Sequence, residues 1–150
     1  MFANNLWIIC ALGAAVLWGA SYALSEELIQ KRGIPPSFLI LVEMLMAIPI
    51  GVLLVYFLGT YKLGVSSVLQ SSGTIALAVT MGILFIAGSF LILYSVSLKN
   101  ATITSFIEIS YPLFTMLFVW LFFGKVDLNL YTALGATLIV AGVSVILLKS

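Results

Sequence analysis

Histidine is absent from the chain, cysteine occurs once, as Cys10, and aspartate once, as Asp127. Without imidazole, a rhomboid-type serine protease lacks its base, and most zinc sites lack a ligand set. A lone aspartate excludes an intramembrane protease of the two-aspartate kind. No nucleophile, base and orienting group can be gathered from what remains, so neither an enzyme nor a bound cofactor is expected. A single thiol excludes an internal disulfide, and Cys10, inside an apolar run, reads as a small buried hydrophobe. Charge is scarce as well. Only 7% of the residues are charged, against about 25% in soluble domains. The six basic residues are scattered and the net charge is +1, which leaves no patch for nucleic acid or an anionic membrane surface.

Hydrophobic residues make up 63% of the sequence. They fall into five runs, at residues 6–24, 38–58, 75–96, 102–123 and 130–148. Each is close to the roughly 20 residues needed to cross a bilayer. The alternation of a barrel strand is missing, so all five are expected to be helices and the fold class is an all-α membrane protein. The first run lacks the basic leader of a signal peptide and is long for one, so it is expected to remain as a span. Gly33 with Pro35 and Pro36 separates the first two spans. Residues 59–73 form the longest polar link, and Lys99-Asn100 and residues 124–127 form short ones. Short links imply antiparallel neighbours, and nothing suggests more than one domain over residues 1–150. With five spans, the first and third links and the C-terminus share a side carrying Lys31, Arg32, Lys99 and Lys149, against Lys62 and Lys125 opposite. The positive-inside rule puts the richer side in the cytoplasm, by a margin small enough to permit both orientations. No organelle signal is evident, so a multi-pass protein of the plasma (inner) membrane is expected.

Against this apolar background Glu43 and Glu108 stand out, each six to seven residues into its span. That is a depth of roughly 10 Å at the helical rise. A charge near the bilayer centre costs about 2.5–3.5 kcal/mol on insertion scales, so such residues commonly face a cavity, a partner or a substrate path. Thr104, Glu108, Tyr111 and Thr115 recur at i, i+4, i+7 and i+11 on one helix face, and Pro112 deprives the Glu108 carbonyl of its helical donor. Tyr22 and Tyr94 are brought to the same half of the bundle by span direction. A vestibule of acids and tyrosines suits a cationic or zwitterionic organic solute, or a proton. Glu26 and Glu27 read instead as a solvated helix end, with Glu27 paired to Lys31 at i, i+4. Ala11, Ala15, Gly19 and Ala23, at every fourth position, and Gly135 with Gly142 form small-residue stripes, expected to pack helices within one subunit rather than to form a dimer seam.

The order of short motifs along the chain has a family likeness. Leu17-Trp18-Gly19-Ala20-Ser21 lies in the first span, Pro35-Pro36 before the second, and Leu93-Tyr94-Ser95-Val96-Ser97-Leu98 at the end of the third. Pro112-Leu113-Phe114-Thr115, Leu121-Phe122-Phe123-Gly124 and Gly135-Ala136-Thr137-Leu138-Ile139 with Ala141-Gly142-Val143 follow. Together they resemble one EamA-type five-helix half of the drug/metabolite transporter superfamily, whose usual members carry two inverted five-helix repeats. The resemblance implies a partner, either an antiparallel homodimer or a second five-helix chain, with solute bound between repeats and exposed alternately to each side. It also adds Trp18 to the candidate solute-binding residues. Glu43 stands where relatives often carry arginine, and Lys125 where they often carry glutamate, so the implied solute is cationic or zwitterionic rather than anionic. Two other readings fit the sequence: a non-transporting subunit that scaffolds a larger complex, and a flippase for a lipid-linked small molecule.

Overall fold

The computed structural model of the chain describes residues 6–125 and 129–148, which form helices joined by short links, with no strand among them. Helix α1 (Leu6–Glu26) runs on into a π-helical turn (Glu27–Lys31). It is followed by α2 (Pro36–Phe57), α3 (Tyr61–Val68), α4 (Ser72–Leu98), α5 (Ala101–Glu108), α6 (Tyr111–Phe123) and α7 (Leu130–Leu147). Five stretches among the described residues are long and apolar enough to cross a membrane: Leu6–Lys31, Pro36–Phe57, Ser72–Leu98, Ala101–Phe123 and Leu130–Leu147. The chain is an integral, multi-pass membrane protein. Asp127 and Lys149, used above for the fourth link and for the charge balance, lie outside the described residues.

Local chemistry sets the boundaries. Pro35 is extended at φ −63° and ψ 140°, and Pro36 takes the first helical position of α2, where its missing N–H costs nothing. At the other end, Gly59 adopts φ +64°. There its N–H donates to the Tyr56 carbonyl (3.2 Å) and that of Thr60 to Val55 (3.2 Å). This is the paired closure of a Schellman motif, in which a left-handed residue is nearly always glycine. Asn100 caps α5 through Oδ1, which accepts from the Ile103 N–H at 2.8 Å. Asn129 and Thr132 form a reciprocal capping box at α7.

Three expectations need revision. The first span does not stop at residue 24, because Glu, Leu, Gln and Lys are good helix formers and Glu27 pairs with Lys31 at 2.7 Å. The third begins at Ser72, where the Ser71 hydroxyl accepts from the Thr74 N–H at 3.1 Å; a polar cap starts a helix before hydropathy rises. The link at 59–73 contains α3. Its apolar positions Tyr61, Val65 and Val68 follow a helical period that the Gly and Ser content obscured.

The helices group into two compact units. In one, the π-helical turn, α2 and α3 each pack against α4. The buried residues there are Ile29, Leu39, Leu93 and Val96, the last with no exposed surface. The Gln30 amide donates to the Val96 carbonyl at 2.8 Å, satisfying an acceptor in the last turn of α4 that no helical N–H can reach. In the other unit, α1 and α7 each pack against α5. Its buried residues are Tyr22, Ser25, Ala101 and Thr104, so this seam is mostly small and polar. Most large apolar side chains of both units are exposed, as expected where hydrocarbon rather than water is the surrounding medium.

Candidate functional site

The fourth span is two helices. α5 ends at Glu108 and α6 begins at Tyr111, with Ile109 and Ser110 between them. Pro112 has no N–H to give the Glu108 carbonyl. Around the break the bonding shortens: the Ser110 N–H and hydroxyl both donate to the Ile107 carbonyl, at 3.1 and 2.8 Å, and the Leu113 N–H donates to Ser110 at 3.0 Å. Side-chain bonding of this kind from serine bends helices. The carboxylate of Glu108 therefore sits at the end of a short helix, about 10 Å along it from Ala101 at 1.5 Å per residue.

Tyr22 meets it from α1, its hydroxyl donating to Glu108 Oε2. Such a hydrogen bond counts for more away from water. One turn earlier on α1, the Trp18 ring lies 6.4 Å from that of Tyr22, and one turn earlier on α5, Thr104 is buried. An acid, a phenol and an indole at membrane depth can accept a proton or surround an organic cation.

The other anticipated residues are placed differently. Tyr111 and Thr115 lie beyond the break and are exposed, with the Thr115 hydroxyl donating to the Tyr111 carbonyl at 3.1 Å. Glu43 is half-buried in the first half of α2, and no hydrogen bond or ion pair joins it to another side chain among the described residues. Tyr94, in α4, is exposed and stacks on Phe90 at 6.1 Å between ring centres. Ala11, Ala15, Gly19 and Ala23 are exposed, and a Cβ at Gly19, Gly135 or Gly142 would meet open space.

One polar contact escaped the sequence reading. Glu27 pairs with Lys31 as expected, but Glu26 is not a solvated partner of that pair. Its Oε2 accepts the Ala101 N–H at 2.7 Å. Asn100 covers the Ile103 N–H and leaves that of Ala101 needing an acceptor. No side-chain pattern links the end of α1 to the start of α5, so the sequence carried no signal for this contact.

The sequence model of the EamA-like transporter family matches residues 5–148, and the five spans fit one five-helix half of that family. The chain thus belongs to the EamA-like transporter family, a generally non-enzymatic group within the drug/metabolite transporter superfamily. No curated protein and no solved structure matches it.

Proposed function

We propose that this member of the EamA-like transporter family is a carrier for a small cationic or zwitterionic organic solute, exchanged for protons, and that it works as two inverted copies of the chain in the plasma membrane. The observation that carries this reading is the Tyr22–Glu108 pair at membrane depth beside a broken helix. Non-helical backbone within a membrane is tolerated where it is buried in protein or lines a cavity, and intramembrane acids mark substrate and proton paths. Glu108 is the exchanging carboxylate. Tyr22 and Trp18 supply aromatic surface for the cation, and Thr104, Tyr111 and Thr115 supply hydroxyls along the same span. Glu43 and Tyr94 are proposed as further solute-binding residues on α2 and α4. The second copy supplies the inverted repeat that transporters of this architecture use for alternating access. The exposed small-residue stripe on α1 gives a helix of that copy a place to approach closely.

The test is uptake into acid-loaded proteoliposomes of four probes: ethidium, methyl viologen, choline and glycine betaine. At least one is expected to accumulate several-fold faster than in protein-free vesicles and to stop when the proton gradient is collapsed. Protein-independent rates for all four would overturn the assignment of a cationic or zwitterionic solute.

A further inference from the structure

The Glu108 site is approached from α1 at one point, Tyr22, yet α5 is held to α1 at two. Tyr22 and Glu26 are four residues apart and share a face of α1. Ala101 and Glu108 are seven residues apart, nearly two full turns, and share a face of α5. Glu26 takes the first backbone N–H of α5 and Tyr22 takes the carboxylate of its last residue. Two contacts at the two ends of an eight-residue helix fix both its rotation and its axial register, which one contact cannot do. The buried residues of this unit, Tyr22, Ser25, Ala101 and Thr104, all lie along that seam. α6 and α7 contribute none.

We infer that Glu26 is a positioning residue for Glu108: by accepting the Ala101 N–H it sets α5 in the register that delivers the Glu108 carboxylate to the Tyr22 hydroxyl, so that α1 and α5 move as one piece and the chain flexes at Ile109 and Ser110. The role requires an acceptor oxygen and not a charge. Glutamine retains such an oxygen and alanine does not. The donor can be removed independently, because Ala101 is the first residue of α5, where proline is tolerated, and Asn100 before it is already extended at φ −164° and ψ 166°, as a residue preceding proline must be. The inference rests on the reading of Glu108 as the exchanging carboxylate, but its test needs no transported solute, so the two stand or fall separately.

The probe is dicyclohexylcarbodiimide, which labels protonated carboxyls in apolar surroundings. Its rate at Glu108, with Glu43 in the same molecule as reference, is read by mass spectrometry on purified protein. In the wild type the Tyr22 hydroxyl occupies Oε2, and labelling of Glu108 is expected to be slow. Glu26→Ala and Ala101→Pro are each expected to raise the Glu108 rate at least threefold while leaving that of Glu43 unchanged. Glu26→Gln is expected to restore the wild-type rate, and combining Glu26→Ala with Ala101→Pro should add nothing further. Rates at Glu108 unchanged by both disruptive variants would overturn the inference. So would a parallel rise at Glu43, which signals general loosening, or a Glu26→Gln variant that labels as fast as Glu26→Ala.

Discussion

Glu108→Gln is expected to lower gradient-driven uptake of the transported probe at least tenfold while leaving the purified yield and the melting temperature near the wild-type values. Glutamine is nearly isosteric and still offers Tyr22 an acceptor oxygen, so the α1–α5 contact survives. What it cannot do is release a proton or neutralise a cation. A tenfold loss corresponds to about 1.4 kcal/mol, modest beside the cost of leaving a cation uncompensated at membrane depth. Tyr22→Phe removes the donor but keeps the ring and the acid, so its uptake is expected to fall between those of wild type and Glu108→Gln. If Glu108→Gln transports at the wild-type rate, the exchanging group lies elsewhere and Glu43 becomes the first alternative to examine.

A second large effect is expected in the other unit. Val96 has no exposed surface, and its carbonyl already serves the Gln30 amide. Val96→Asp places an acid at a fully buried position in a unit whose other buried residues, Leu93, Leu39 and Ile29, are apolar. An unpaired charge at such a position costs at least about 3 kcal/mol, a large share of the roughly 5–15 kcal/mol that holds a typical protein folded. Recovery of monodisperse protein after detergent extraction is expected to fall to background. Val96→Ala, which only removes methyl groups, is expected to cost roughly 2 kcal/mol and to remain extractable. Normal recovery of Val96→Asp would mean that the contact between α4 and its neighbours contributes little.

The helical class, the number of spans and the break near Pro112 were legible because each follows from local composition. A run of about 20 apolar residues has few other fates, and a proline in a span must disturb the ladder. The Glu27–Lys31 pair was legible for the same reason, since i, i+4 neighbours meet on any helix. The partners of Glu108 were less so. Span direction brought Tyr22 toward the correct half of the bundle, but which tyrosine reaches the acid depends on helix rotation, which periodicity in a span apolar on every side does not specify. The break expected from Pro112 leaves Glu108 and the buried Thr104 on α5 and the exposed Tyr111 and Thr115 on α6, and how far the two helices turn relative to each other there cannot be read from the spacing. Glu26 was misplaced because its partner is a backbone N–H from a distant segment, and such donors leave no mark in side-chain patterns.

The central claim, two inverted copies of one chain acting together, is tested most directly by orientation. With Cys10 replaced by Ala, a single Ser66→Cys in the exposed helix α3 can be labelled with a membrane-impermeant maleimide in intact cells, and again after permeabilisation. Labelling of about half the molecules before permeabilisation and of all after it is the result expected from the small charge difference between the two sides. Labelling of all the molecules, or of none, in intact cells would show a single orientation and contradict a carrier built from two inverted copies of this chain.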